Sequence, residues 1–210
     1  MSRTIQAEIK CWVCGKYSEQ RILVSISRFG APDLDLRPPE MERSAKKYTI
    51  QECPHCGYVA IDISRKTTIS KDWLKNTKYL LCDNRFFKSE FAKKFYKNYL
   101  TNSIIGNIES AYCAVLNAAW ECDDVGDVDN AFYCRKKALE EIDKLIASSG
   151  KEIFVVVKAD LLRRTDQFEI LIEEYKEKVF SEEMFNKVIA FQIDKARAQD
   201  AHRYTVANVN

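Results

Sequence analysis

The chain has 210 residues, 46% hydrophobic and 30% charged, with a net charge of +2, enough for one large domain or two small ones with a proper core. Eight cysteines are too few for a small disulfide scaffold, and the opening MSRTIQAEIK has no apolar run of the secretory kind. No stretch approaches the roughly 18 apolar residues of a membrane span, so the expectation is a reduced cytoplasmic chain whose cysteine spacing reads first as metal or redox chemistry.

All four prolines (Pro32, Pro38, Pro39, Pro54) fall in the first 54 residues, and the remainder is free to form long helices. Charge divides the chain again. Residues 1–70 carry 11 Lys/Arg against 8 Asp/Glu, residues 71–106 carry 8 against 3, and the rest carries 14 against 20. A near-neutral total therefore covers a basic middle and an acidic C-terminal half.

The strongest chemical signal is a matched pair, Cys11-Trp-Val-Cys14-Gly15 and Cys53-Pro-His-Cys56-Gly57. A Cys-x-x-Cys turn aims two thiolates at one centre, and the following Gly takes the positive φ that turns backbone N–H groups toward the sulfurs. Two such knuckles make a four-cysteine site for one zinc ion, closed to water and so structural. The runs Tyr48-Thr-Ile-Gln and Tyr58-Val-Ala-Ile-Asp-Ile predict a hairpin with the second knuckle at its tip, and Arg21-Ile-Leu-Val-Ser-Ile-Ser predicts another strand. A redox dithiol needs one Cys-x-x-Cys at the start of a helix, which neither knuckle has. His55 lies inside the second knuckle, where the two cysteines already fill the ligand positions; it reads as an exposed loop imidazole. Cys82, Cys113, Cys122 and Cys134 stand singly and read as inert core thiols.

Between the knuckles, residues 30–44 are too polar and proline-rich for a helix or central strand and read as a long surface loop. Its Asp33, Asp35, Arg37, Glu40 and Arg43 are candidates for an ion-pair network or a ligand site.

From about residue 68 the period becomes helical. Trp73, Leu74, Tyr79, Leu80 and Leu81 predict a first helix, and residues 85–99 a second, with Phe87, Phe91, Phe95 and Tyr99 on one stripe. Lys88, Lys93, Lys94 and Lys97 lie mostly off it. Lysines among aromatics suit single-stranded nucleic acid, although an aromatic stripe buried beneath solvated lysines is the commoner arrangement.

Residues 107–147 carry a helical-hairpin pattern, with Gly126-Asp127 at the turn and Ala131 and Lys137-Ala138-Leu139 on the return. It resembles the second half of a tetratricopeptide repeat (TPR), while Ala118, Ala119 and Cys122 depart from the first half. A weaker copy turns at Thr165-Asp166, 39 residues on, and Glu182 to Ala201 reads as a closing helix with Phe185, Val188, Ile189 and Ile193 on one side. Arg163 and Arg164 on the copy are candidates for contact with a partner in the groove. The two histidines, His55 and His202, with the second in a tail expected to be mobile, supply no catalytic constellation, and no glycine-rich phosphate loop occurs.

The two knuckles, the block Pro-Asp-Leu-Asp-Leu-Arg-Pro-Pro-Glu-Met and the run Gln51-Glu-Cys-Pro-His-Cys-Gly-Tyr-Val-Ala resemble bacterial domain-of-unknown-function family 2225. The resemblance implies a zinc ribbon fused to TPR-like helices in a bacterial cytoplasmic protein, with Cys11, Cys14, Cys53 and Cys56 as ligands, and carries no activity with it. The expectation is thus an α+β chain, with a zinc ribbon over residues 1–66 and a TPR-like helical domain over 67–210. Its function would be a non-enzymatic adaptor for a protein partner, with nucleic-acid binding through the ribbon and residues 71–106 as the alternative.

Overall fold

The computed structural model of the chain describes residues 3–209. The fold is α+β, with small antiparallel hairpins at the N-terminal end followed mainly by helices. The chain divides into two compact units, one holding the residues up to Arg28 with Glu40–Cys134, the other Phe29–Pro39 with everything from Arg135 on. None of the three breakpoints, after Arg28, Pro39 and Cys134, falls at residue 66.

In the first unit, β1 (Arg3–Lys10) pairs with β2 (Tyr17–Ser25), and the first knuckle closes the hairpin. The alternation Ile5, Ala7, Ile9 carries the period-2 signal for β1 beneath a polar composition. After the one-turn helix α1 (Glu42–Ala45), β3 (Gln51–Glu52) and β4 (Val59–Ala60) pair around the second knuckle. Tyr48 and Thr49 lie in a 3-10 turn instead of a strand.

The helix expected at 73–81 does not run through. A 3-10 turn (Trp73–Lys75) gives way to the single turn α2 (Thr77–Leu80), because Asn76 is extended (ψ 132°) and its side chain accepts from the Lys78 N–H. Cys82, Asp83 and Asn84 then follow in left-handed conformation, which ends any helix. Helix α3 (Glu90–Ile104) starts later than the aromatic spacing implies, where Ser89 accepts from the Ala92 N–H and Glu90 sits on the helix N-terminus. Phe95 and Tyr99 are buried on it, and Phe87 is buried ahead of it.

Helix α4 (Ile108–Asp124), capped by Asn107, folds back on α3, and its buried Ala111, Ala114, Ala118 and Ala119 let backbones approach closely. α3 also packs on β4, which places the hairpin of the second knuckle and these helices in one unit. Gly126 turns the chain at φ +64° into α5 (Val128–Ser149), where the Asp127 carboxylate accepts from the Lys88 N–H and from Asn130. The division between units falls within α5.

The second unit packs α6 (Glu152–Arg163), α7 (Phe168–Tyr175) and α8 (Glu183–Arg197) against one another over Val157, Leu161, Leu171, Tyr175 and Ile189. The turn between α6 and α7 lies at residues 164–167, with Asp166 left-handed, where the second hairpin pattern places it.

In the same unit Lys158 of α6 bridges Asp143 of α5 (2.9 Å) and Glu174 of α7 (3.1 Å), and Lys178 also reaches Glu174 (3.1 Å). Burial alone would raise the Glu174 carboxyl, but its hydrogen bonds to Lys158 and Lys178 outweigh it and hold the acid below its ordinary value of 4.5. The depressed folded-state value makes Glu174 stabilising above pH 4.5, and that contribution disappears as pH falls through the folded value. Replacing Glu174 with Gln should therefore lower the urea midpoint of this unit at pH 7. The wild-type and variant midpoints should converge as the pH is lowered from 4.5 through the depressed folded-state value; a constant difference would contradict the assignment.

Candidate metal centre

The two knuckles repeat one backbone pattern. The N–H of Cys11 donates to the Lys16 carbonyl (2.9 Å) and that of Gly15 to the Cys11 carbonyl (2.8 Å). In the second knuckle the N–H of Cys53 donates to Tyr58 (2.9 Å) and that of Gly57 to Cys53 (2.9 Å). Gly15 and Gly57 sit at φ +75° and +72° with open space where a Cβ would lie, so conformation and not crowding selects glycine.

The hairpins bring the four sulfurs of Cys11, Cys14, Cys53 and Cys56 within 4.8 Å of one another. The close pairs cross between knuckles, Cys11 to Cys56 at 3.8 Å and Cys14 to Cys53 at 3.5 Å. These separations are far beyond the roughly 2.05 Å of a disulfide, and all four thiols are free. Burial pushes the Cys11 and Cys56 thiols up. Cys14 is pulled down against its own burial by the Lys16 N–H and the neighbouring sulfurs. Four thiolates at this spacing repel one another unless a cation lies among them, and the donor set fits a metal ion.

The surroundings brace the second knuckle. The Tyr79 hydroxyl, buried in α2, donates to the Gly57 carbonyl (2.6 Å) and accepts from the Val59 N–H (3.1 Å). The Gln51 side chain accepts from the Ile63 N–H, and the Ile63 carbonyl accepts from Trp12 in the first knuckle. His55 is exposed, with Nε2 3.0 Å from the Tyr17 carbonyl, and is outside the sulfur cluster.

The other candidate residues are dispersed. Asp33, Asp35 and Arg37 belong to the second unit and are almost fully buried, at 1 to 2% exposure, so this part of the segment is not the surface loop expected from its composition. The reason is pairing with the C-terminal segment. Asp33 bridges Thr205, the Leu34 N–H donates to the Tyr204 carbonyl (3.0 Å), and the Val206 N–H to Pro32 (2.9 Å). Asp35 accepts from the Arg37 N–H in a tight turn and faces Arg164 at 3.7 Å. Glu40 and Arg43 fall in the first unit, where Glu40 accepts from Ser44 (2.6 Å).

Arg163 is not a groove residue. It is fully buried, pairs with Asp160 (2.8 Å), donates to Gln192, and holds the carbonyls of Asp200 and His202 at 2.7 Å each. Those last two bonds also fix the segment expected to be a mobile tail. Arg164 is mostly covered, beside Asp35. In the basic middle, Lys94 and Lys97 lie 3.3 and 3.7 Å from Glu52, Lys97 stacks over Tyr79, and Lys88 donates to the Gly126 carbonyl (3.0 Å). Lys93 is half-buried on α3. Of the lone cysteines, Cys82, Cys122 and Cys134 are buried, whereas Cys113 is exposed on α4.

No protein-family model, curated protein or solved structure matches the chain. Among the described residues no helix is long and apolar enough to cross a membrane.

Proposed function

We propose that Cys11, Cys14, Cys53 and Cys56 hold one structural zinc ion and that the protein is a non-enzymatic adaptor whose TPR-like helices receive a segment of a protein partner. The observation that carries the reading is the sulfur cluster. A tetrahedral zinc with Zn–S bonds near 2.3 Å has sulfur–sulfur edges of about 3.8 Å, and the close pairs stand at 3.8 and 3.5 Å. With four protein ligands no position remains for water or substrate, so the metal supplies cross-linking of two hairpins and no reaction chemistry.

The adaptor part is supported by helical hairpins whose turns are 39 residues apart, near the period of helical arrays that present binding surfaces. The motif resemblance to family 2225 points to the same architecture. The nucleic-acid alternative has less support, because Lys94 and Lys97 face Glu52 and so offer less free charge to phosphates.

Protein purified without chelator should contain one zinc per chain and release it to a chromogenic chelator together with four newly reactive thiols. Well under one zinc per freshly purified chain would overturn the metal assignment. Phage selection from a random peptide library on the zinc-loaded chain should enrich a defined sequence. Failure to enrich any would remove the adaptor role.

A further inference from the structure

The first unit contains a cleft of about 560 Å³, within the roughly 300–1,000 Å³ of ligand pockets, between β4 with the residues after it and the α3–α4 hairpin. Its wall is unusual for helices that pack in a core. Asn98 and Asn102 of α3 and Asn117 of α4 bring amides to the cleft, joined by Thr101 and Ser110. Asparagine in a helix interior competes with the backbone for hydrogen bonds and is a poor helix former, so Asn98 and Asn117, both well inside their helices at one cleft, need a reason.

Asn117 gives the sharpest sign. It is 7% exposed, and its Nδ2 donates to the Cys113 carbonyl at 2.6 Å, which fixes which way the amide points. Its Oδ1 is then a buried acceptor with no partner among the described residues. Such a group carries a desolvation cost that a native structure offsets by presenting it to something that donates. On α3, Asn98 Oδ1 accepts from Asn102 Nδ2 (2.9 Å), so the α3 amides are already oriented.

The cleft's charges balance. Arg65 and Lys66 on one rim are matched by Asp62 and Glu109, and Tyr58 is the single aromatic residue in the lining and is itself buried. A nucleotide would find neither a cationic cradle nor an open ring to stack on. Neutral amides that both donate and accept match another amide instead. We infer that this cleft binds an extended peptide segment of the partner, with a backbone N–H of that segment donating to Asn117 Oδ1 and its neighbouring amide groups meeting Asn98 and Asn102. The inference rests on the adaptor reading and places its binding surface at β4, α3 and α4, away from Arg163 and Arg164.

The test uses the full zinc-loaded chain and a hexapeptide chosen from the random library, blocked at both ends and labelled with a fluorophore. Asn117→Leu keeps the branching and number of heavy atoms of the side chain and removes the orphaned acceptor. It should leave zinc content and thermal midpoint equal or slightly improved, yet weaken the peptide about tenfold or more. A second measurement needs no variant. Cys113 lines the same cleft, so saturating peptide should slow its alkylation by N-ethylmaleimide severalfold, read by mass spectrometry. Peptide that binds the folded Asn117→Leu chain as tightly as wild type, or that leaves Cys113 alkylation unchanged, overturns the cleft assignment while the adaptor reading stands. A library that yields no binder removes both. Adenosine monophosphate run in parallel should not bind; binding that Asn117→Leu abolishes would give the cleft to nucleotides and overturn the peptide assignment.

Discussion

Cys14→Ser should strip the metal and unfold both N-terminal hairpins while α6, α7 and α8 keep their structure. The strand pairing of the hairpins is slight, and the packing of α3 and Tyr79 reaches the second of them. β3 and β4 pair over two residues each, and on the β1–β2 hairpin Ile5, Tyr17 and Val24 remain exposed. An isolated two-stranded hairpin is marginal in water. Structural zinc binds zinc-finger peptides with about 10–16 kcal/mol of free energy, and because the ligands converge only in the folded form, that binding acts as folding energy. Hydrogen exchange should show protection lost over residues 3–25 and 51–60 and retained over 152–197. All three tryptophans (Trp12, Trp73, Trp120) lie in the first unit, so their fluorescence reports that unit alone. Chelation of the wild type should reproduce the change. Hairpin amides that stay protected after the metal is gone would show that packing, with Tyr79 and Ile63 at its centre, suffices.

Arg163→Ala should cost the second unit about 3–5 kcal/mol, because it leaves the Asp160 carboxylate buried without its cation. Asp160 is 2% exposed, and the bond it keeps is a neutral one, from Gln192 Nε2 at 3.0 Å. The substitution also frees the carbonyls of Asp200 and His202, so trypsin should cut after Arg197 and Arg203 faster in the variant than in the wild type. Urea unfolding followed by far-UV circular dichroism reads the first effect, and mass spectrometry of the digest reads the second. Asp160→Leu combined with Arg163→Met should recover part of the loss, since replacing both charges with apolar groups removes the stranded carboxylate. An Arg163→Ala chain with wild-type stability and wild-type proteolysis would show that the network is dispensable.

Cys11 and Arg163 both have partners far along the chain, Cys56 at 45 residues and His202 at 39, and they differ in whether the residues beside them announce the pairing. A Cys-x-x-Cys-Gly turn is local. Its thiol spacing, its left-handed glycine and its two backbone hydrogen bonds are all set within a few residues, so the metal-binding group is legible before any fold is known. The helical turns at Gly126 and Thr165-Asp166 are legible for the same reason. The break at Asn76 and the three left-handed residues after Leu81 are harder to see, because the apolar period runs straight through residues that competing side-chain caps and turns dislodge from the helix.

Charged residues are the least legible. Arg163, Asp33, Asp35 and Arg37 have the composition of a solvated surface, and whether a charge is solvated or buried depends on which distant segment reaches it. Here residues 200–206 do, and the candidate partner groove becomes interior. The cleft asparagines carry a faint signal, polar amides in the middle of helices, but the fold is needed to show that Asn98, Asn102 and Asn117 share one wall.

Short-range geometry and periodicity were thus enough to define the four clustered cysteines, their pairing into two knuckles, the α+β class and the positions of the main helical turns. Three features came from the folded chain alone: residues 29–39 belong with the C-terminal helices, Arg163 is a buried cross-link, and a residue lining the cleft beside β4 holds a buried acceptor with no partner among the described residues. The first two depend on hydrogen bonds and ion pairs between segments as far as about 170 residues apart in sequence, and no local pattern encodes which distant group will arrive.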